Sequence, residues 1–197
     1  MFENLLCQIP DYDPETIQPL IELAIEIARE GREGRRIGTL FTFGDEEAVL
    51  ATSRALILDP LACHPDSARQ MSDPNLRGTI KELAQLDGAF VVSSTGMFVA
   101  ACRYLNPANA SDLQVPLGLG SRHLAAAGIS SITKAIGIVV SESSVVRVFC
   151  HGKLVAEIIP ELWLLNRGNV HVRGAVTEER IRDLAVITAK PDFSRPK

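Results

Sequence analysis

Hydrophobic positions along this chain follow two periods, one helical and one strand-like. Between residues 13 and 31 apolar side chains recur every three or four positions, which predicts an amphipathic helix that begins at Pro14 or Pro19. A second pattern of the same kind predicts a helix that opens at Asp73-Pro74 and ends just before Asp87. These two segments are the clearest helices in the first half of the chain.

Short β-rich runs bounded by turn residues predict the strands. Residues 37–43 form one such run, and we expect residues 48–51 to return as a strand beside it. Residues 89–92 and 97–100 flank a four-residue loop that ends in glycine, which predicts a β-hairpin. The first half therefore combines helices with paired strands.

The second half repeats this mixture. The apolar run 135–140 precedes a second predicted hairpin, in which residues 145–149 and 154–158 flank His151-Gly152. Acidic residues at the start of the segment 177–185 predict a last helix. Because helices and strands interleave while several strands join by hairpins, we predict a single α/β domain with a central mixed β-sheet flanked by helices.

Composition narrows the class of protein. At 197 residues, with 46% hydrophobic and 22% charged residues, the chain has the composition of one globular domain. Its net charge of -4 argues against duplex DNA as the main partner. No uncharged apolar run approaches the ~20 residues that span a bilayer. The first 13 residues hold three acids and no Lys or Arg, unlike a signal peptide, so we expect a cytoplasmic protein that does not bind membranes.

The cysteines give little sign of a metal site. Cys7, Cys63, Cys102 and Cys150 are far apart, and none forms a C-x-x-C pair. Two of them precede a histidine, but neighbouring side chains of a strand point to opposite faces and cannot readily share one metal. The sequence favours free and mostly buried thiols over a zinc site.

Two segments carry residue types that suit phosphoryl chemistry. Asp87-Gly88-Ala89 sets a carboxylate at the start of an apolar strand, where it could hold a metal ion. Residues 118–123 run from a glycine-rich turn into Arg122 and His123, with Ser121 as the expected cap of a helix that ends at Gly128. This run is neither a Walker A loop nor a dinucleotide-binding fingerprint.

Each of these features also has a plain structural interpretation. Asp87 could belong to an ordinary loop after a helix, and the glycine-rich run could be a tight turn before a buried helix. Arg122 could be a surface arginine, and His123 on an apolar helix could be a hydrogen-bonded structural residue. Glu142, at the end of an apolar strand, could be a solvated loop acid.

Taken together, residues 34–149 resemble the diadenylate cyclase domain, whose members condense two ATP molecules into cyclic di-AMP. The family's motifs occur here in the family's order and spacing. They are Arg36-Ile37-Gly38-Thr39-Leu40-Phe41 with Gly44-Asp45, Asp87-Gly88-Ala89, Tyr104-Leu105, Gly120-Ser121-Arg122-His123 with Ala125-Ala126 and Gly128-Ile129-Ser130, and Val139-Val140-Ser141-Glu142.

Three positions depart from the family's pattern. Leu124 stands where the second signature usually has a second arginine, and its loss removes one guanidinium from the phosphate site. Ser121 replaces the more usual threonine and keeps the hydroxyl. Ser143 stands where a second acid often follows the glutamate.

The resemblance implies a set of functional residues. Asp87, Arg122 and His123 would be catalytic, and Asp87 and Glu142 would hold Mg²⁺ or Mn²⁺. The nucleotide-binding residues would be Gly88, Ala89, Tyr104, Leu105, Gly120, Ser121, Arg122, His123 and Ser141. ATP would be the substrate and cyclic di-AMP the product. Because that product is two-fold symmetric, two active sites should face each other in at least a homodimer.

The extent of the resemblance also suggests how the chain is divided. Residues 1–33 would be an N-terminal helical segment, residues 34–159 the catalytic core, and residues 160–197 an extension that packs on the core or aids assembly. Leu162, Trp163, Leu164 and Leu165 form an apolar cluster in that extension. Two other functions stay open: a catalytically weakened module that binds a nucleotide or cyclic dinucleotide, which Leu124 motivates, and a nucleotidyltransferase with another acceptor.

Overall fold

The fold is that of a computed structural model, which describes residues 2–9, 11–106, 113, 116, 118–160, 176–181 and 184–190. The helices are α1 (Glu3–Leu6), α2 (Pro14–Glu30), α3 (Glu46–Ala51), α4 (Pro74–Leu83) and α5 (Ser121–Ile132), with a 3₁₀ turn at Asp66–Arg69. The strands are β1 (Thr39–Phe43), β2 (Ser53–Ala55), β3 (Ala89–Val92), β4 (Phe98–Leu105), β5 (Ile136–Val140), β6 (Val146–Cys150), β7 (Lys153–Pro160), β8 (Val176–Ile181) and β9 (Leu184–Ala189).

Local capping explains where the two long helices begin. The Asp13 side chain accepts a hydrogen bond from the Glu15 amide at 2.9 Å, so α2 begins at Pro14, while Pro19 lies inside the helix. Asp73 caps α4 in the same way, accepting from the Asn75 amide at 2.9 Å. Both predicted helices are confirmed. None of the described helices is long and apolar enough to cross a membrane.

The strands form one mixed sheet in the order β2-β4-β3-β1-β5-β6-β7-β9-β8. β1 and β3 run parallel, and every other neighbouring pair of described strands is antiparallel. Both predicted hairpins are confirmed, as β3–β4 and β6–β7. The strands β1, β3 and β5 are buried along their whole length, as expected for the centre of a sheet with helices on both faces.

Two apolar layers enclose the sheet. α2 and α4 cover one face, where they pack against side chains that include Phe41, Phe90 and Ile138. α5 covers the other face, where Ala126 and Ala127 pack against Leu40, Val139 and their neighbours. Alternate residues of one strand therefore belong to different cores, which gives the mixed three-layer α/β fold that the sequence predicts.

Three sequence predictions of the type or length of an element are wrong. Residues 48–51 lie in helix α3 and not in a strand, because Glu46 and Glu47 begin a helix that is rich in alanine and leucine. Helix α5 continues through Gly128 to Ile132, since its buried face packs on the sheet along its whole length. In the segment 177–185, the described residues 177–181 and 184–185 are not helical but belong to the paired strands β8 and β9, which suits their β-branched residues.

The hairpin β8–β9 adds to the edge of the sheet, because β9 pairs with β7. The apolar cluster at residues 162–165 lies outside the described residues, and the division into 1–33, 34–159 and 160–197 stays a prediction. The cysteines are free, as expected. Cys102 and Cys150 are buried but Cys7 and Cys63 are exposed, so the expectation of mostly buried thiols holds for only half of them.

Candidate active site

The candidate site lies at one end of the three central strands. In the parallel pair β1–β3, Leu40 lies beside Ala89, and in the antiparallel pair β1–β5, Thr39 lies beside Val140. Gly38 directly precedes β1, Asp87 lies two residues before β3, and Ser141 directly follows β5, so all three lie at the same end of the sheet. Three separate sequence motifs, on adjacent strands about 4.8 Å apart, therefore come to one end of the sheet.

Asp87 is exposed at the root of β3, and its conformation is fixed locally. Its Oδ1 accepts a hydrogen bond from the Gly88 amide at 2.9 Å. Gly88 has φ of 95°, and a Cβ there would lie 2.7 Å from the Cys102 carbonyl carbon and 2.8 Å from the Arg103 nitrogen. Only glycine can thus turn the chain from Asp87 into β3 against the bulged backbone of β4.

The electrostatics around Cys102 reflect this packing. Burial, together with the nearby charges of Asp59 and Asp87, raises the pKa of the Cys102 thiol. Cys102 itself has φ of 52°, a left-handed conformation that occurs at the bulge between β3 and β4. The irregular strand therefore lies close to the Asp87 carboxylate.

Arg122 and Glu142 meet above Gly38. Nη1 of Arg122 donates to Oε1 of Glu142 at 3.4 Å, and both side chains are accessible to solvent. A Cβ at position 38 would lie 2.7 Å from that Nη1 and 3.2 Å from Cγ of Glu142. The absence of a side chain at Gly38 makes room for the pair beside the start of β1.

The start of α5 supplies backbone donors at the same end of the sheet. Gly120, in extended conformation, caps the helix without a side-chain hydrogen bond. Ser121 is the first helical residue and is exposed, so the prediction that it caps the helix is wrong. The Arg122 side chain reaches Gly38, so the start of α5 lies on the same side as the start of β1. The first N–H groups of a helix have no partner within the helix and are available to a ligand.

His123 points away from this group. Its side chain is buried, and Nε2 lies 3.3 Å from Nη1 of Arg147. The ring also meets the Phe149 ring edge to face, at 6.2 Å between centroids. Of the two sequence interpretations, the geometry agrees with the hydrogen-bonded structural histidine. Leu124, on the next position of the helix, is 41% exposed.

Tyr104 and Leu105, two of the predicted nucleotide-binding residues, end strand β4, which is the neighbour of β3. Arg103 lies beside Ala89, so Tyr104 and Leu105 follow towards the root of β3. Tyr104 is 48% exposed, with the Arg54 guanidinium 4.6 Å from its ring centroid, while Leu105 is buried. Tyr104 is therefore a half-exposed aromatic ring, while Leu105 packs in the apolar layer of the sheet.

A short turn holds Ser141 and Glu142 at the end of β5. The Ser141 amide donates to the Val145 carbonyl at 2.9 Å, and its Oγ accepts from the Ser143 amide at 3.1 Å. The Ser141 hydroxyl also shares a hydrogen bond of 2.8 Å with the Ser143 hydroxyl. This turn directs Glu142 towards Arg122.

A divalent cation fits this donor set. No group of three or more His, Cys, Asp or Glu side chains gathers into a metal cluster among the described residues. Mg²⁺ bound with a nucleotide, however, needs only one or two carboxylates besides phosphate and water. Asp87 and Glu142 supply hard oxygen donors of this kind at one end of the sheet.

Sequence reasoning missed two features next to the site. Gly38 was named only as part of a strand and of a family motif, without a role of its own, since that role depends on a contact with α5. Arg147 and Glu157 were not singled out, although opposite charges inside two apolar strands on either side of a hairpin turn are a readable signal. They pair directly across β6 and β7.

Comparisons with known proteins identify the family of this chain. A sequence model of the DAC family, described as DisA bacterial checkpoint controller nucleotide-binding, matches residues 26–154. A diadenylate cyclase of Methanocaldococcus jannaschii is 48% identical over 166 residues, 84% of this chain and 51% of that protein. A diadenylate cyclase of Haloferax volcanii is 41% identical over 152 residues, 77% of this chain and 55% of that protein.

A solved structure of DacA from Staphylococcus aureus, a double mutant, has a TM-score of 0.46 and 25% identity, over 71% of this chain and 84% of that one. The chain spans about half the length of the curated relatives it matches. The family model covers well over half of the chain, and the identity to these relatives is high over most of it. The chain therefore belongs to the diadenylate cyclase family.

Proposed function

We propose that this chain condenses two ATP molecules into cyclic di-AMP, with release of two pyrophosphates. The observation that supports the proposal is that three family motifs come to the same end of the central strands: Asp87 before β3, Gly38 before β1, and the Arg122–Glu142 pair at Gly38. Carboxylates, a guanidinium and helix amides are the groups that nucleotidyl transfer uses to hold metal and phosphate.

Each subunit binds one ATP in this proposal. The half-exposed ring of Tyr104 contacts the adenine, and Leu105, buried next to it, lies behind this contact. Gly88 and Ala89 contact the nucleotide where β3 begins, and Gly120, Ser121 and Arg122 hold the phosphates at the start of α5. Ser141, at the end of β5, contacts the nucleotide from the opposite side of β1.

The chemical step joins two such subunits. The 3′-hydroxyl of one ATP attacks the α-phosphorus of the other, the new phosphodiester bond forms, and the bond to pyrophosphate breaks. When bound at Asp87 and Glu142, Mg²⁺ or Mn²⁺ lowers the pKa of the attacking hydroxyl and neutralises phosphate charge. Arg122 and the helix amides stabilise the leaving pyrophosphate. Two facing sites close the ring, which requires at least a homodimer.

His123 has a supporting role in this mechanism. Because its ring is buried against Arg147 and Phe149, it holds the helix that carries Arg122 rather than contacting the phosphates. We further propose that residues 34–159 form the catalytic core, and that the segment 160–197, which contains β8 and β9, supports it.

Incubation of the purified chain with ATP and Mn²⁺ tests the proposal, with the product identified by mass spectrometry. Asp87→Asn should lower cyclic di-AMP formation at least about 100-fold, because it removes a charged metal ligand. Glu47→Gln is the matched control, since Glu47 is exposed in α3, after the opposite end of β1, and should leave the rate unchanged. A wild-type chain that makes no product with either metal would contradict the proposal.

One observation favours a second candidate, a weakened module that binds nucleotide without turnover. Leu124 is exposed on the first turn of α5, where the family's second arginine would stand. Titration calorimetry that finds ATP or cyclic di-AMP binding without product would support this module, and a gain of activity in Leu124→Arg would strengthen it. Efficient turnover by the wild type would exclude it.

A further inference from the structure

A buried chain of polar groups joins the β6–β7 hairpin to helix α5. Nε of Arg147 donates to Oε1 of Glu157 at 2.6 Å, and Nη1 of Arg147 contacts Nε2 of His123 at 3.3 Å. The exposed fractions are 0% for Glu157, 4% for Arg147 and 7% for His123. Arg147 and Glu157 lie directly opposite each other in the strand register.

The hydrogen-bond chemistry fixes the state of the imidazole ring. A guanidinium has only donors, so Nε2 of His123 has to accept, and the ring's proton has to be on Nδ1. Arg147 is itself oriented by Glu157. The direction of the His123 ring is therefore set by two strands that are far from it in the sequence.

Stability alone is a poor reason for such a network. Removing two charges from water costs several kcal/mol per ion, and apolar residues of similar volume are often as stable in the same place. All three side chains lie in or next to the apolar layer between α5 and the sheet, where Phe149 also packs. What the Arg147–Glu157 pair provides, and apolar residues would not, is a hydrogen bond of fixed direction to His123.

We propose that Arg147 and Glu157 are positioning residues for the phosphate site, acting through His123. His123 is in the first turn of α5, next to Arg122, so a fixed His123 ring fixes the orientation of the helix turn from which the Arg122 side chain and the first helix amides project. The inference rests on the proposed function, since it assigns the start of α5 to ATP phosphates.

The same hairpin also holds the other end of the helix. The Gly152 amide, in the turn between β6 and β7, donates to Oγ of Ser130 at 3.1 Å. Helix α5 is thus attached to one hairpin near both ends, and Ser130 provides a control. Its loss perturbs the same contact surface but leaves the His123–Arg147 contact intact.

The decisive experiment uses the double variant R147M/E157L, which replaces the buried charges with apolar residues of similar size. We expect it to fold, to raise the KM for ATP about tenfold and to lower kcat as well, because the phosphates of bound ATP and the leaving pyrophosphate both become misaligned. Arg147→Lys keeps the charge and should recover part of the loss. Ser130→Ala should lower thermal stability and leave KM unchanged.

A second measurement needs neither activity nor a variant that folds well. Nitrogen NMR of the imidazole rings, with His123 assigned by comparison with His123→Gln, should find Nδ1 protonated and Nε2 unprotonated in the wild type. A proton on Nε2 would overturn the inference. So would an unchanged KM in a folded R147M/E157L.

The outcomes also separate this inference from the proposed function. An active wild type whose KM is insensitive to the network overturns the inference alone. A wild type that neither binds nor turns over ATP overturns the proposed function, and with it the phosphate site that the network would position.

Discussion

Replacing Gly38 with alanine should weaken ATP binding without weakening the fold. The new Cβ would lie 2.7 Å from Nη1 of Arg122 and 3.3 Å from its Cζ. Carbon and nitrogen atoms prefer separations of about 3.5–4.0 Å, so the guanidinium has to move by about 1 Å. It is the end of a flexible, partly exposed side chain and can move at little cost.

The expected change in the free energy of unfolding is close to zero. The exposed Arg122–Glu142 pair contributes about 0–1 kcal/mol. Its loss is offset by the smaller entropy of the unfolded chain with alanine, about 0.4–1 kcal/mol. The melting temperature should therefore shift by no more than about 4 °C in a chain of this length.

The affinity of Gly38→Ala for ATP should change much more than its stability. A displaced Arg122 loses a charge-assisted hydrogen bond to phosphate, worth about 1.5–3 kcal/mol, which raises Kd about 10- to 100-fold. Titration calorimetry with 3′-deoxy-ATP and Mg²⁺ measures this without turnover, because that nucleotide lacks the attacking hydroxyl.

Gly78→Ala is the matched control for this substitution. A Cβ at position 78 meets no atom within 4 Å, and the position is in the middle of α4. It should raise stability by up to about 1 kcal/mol and leave Kd unchanged. A folded Gly38→Ala chain that binds as tightly as the wild type would refute the assignment of Arg122 to phosphate.

Two further predictions concern stability. In Gly137→Ala the new Cβ would lie 2.8 Å from Cβ and 3.0 Å from the carbonyl oxygen of Ala126, so α5 must shift, at a cost of about 1–3 kcal/mol that a thermal melt would detect as a drop of several degrees. The pKa of Glu26 is lowered: burial acts to raise it, but the hydrogen bond from Lys81 and the charge of Arg77 outweigh burial. A lowered pKa in the folded state means that this contribution is present above the ordinary glutamate pKa and is lost as pH falls through the folded value. Glu26→Gln should therefore lower stability by no more than about 1 kcal/mol at pH 7, and the difference from wild type should shrink in acid.

Each of these two stability predictions has an outcome that would contradict it. An unchanged melting temperature in Gly137→Ala would mean that α5 is not held tightly against β5. A difference between Glu26→Gln and wild type that stays constant from pH 7 to pH 3 would show that charge is not the cause of the effect.

The sequence predicted those elements whose signals are local. Helix α2 has its cap, its first-turn proline and its apolar stripe within one continuous segment, and both predicted hairpins carry their turn residues between paired strands. The run 48–51 failed because a four-residue apolar segment fits a helix and a strand equally well. The hairpin β8–β9 was misread because acids at its start imitate a helix N-terminus.

The features of the candidate site also differ in whether their signal is local in the sequence. The motifs around Asp87 and Arg122 were found because each is a short continuous segment with distinctive chemistry. The role of Gly38 and the link from Glu157 through Arg147 to His123 depend on which strands become neighbours. Periodicity contains no information on that order, so His123 was grouped with Arg122, its neighbour in sequence, although the two side chains diverge.

The central claim is that Asp87 and the start of α5 serve one nucleotide. A crystal structure of the chain with 3′-deoxy-ATP and Mn²⁺, in which anomalous scattering locates the metal, tests it most directly. We predict Mn²⁺ bound to the Asp87 carboxylate and to the phosphates of a nucleotide whose phosphate oxygens also accept hydrogen bonds from the first amides of α5 and from Arg122. A nucleotide bound at α5 with Asp87 facing solvent and no metal beside it would contradict the account.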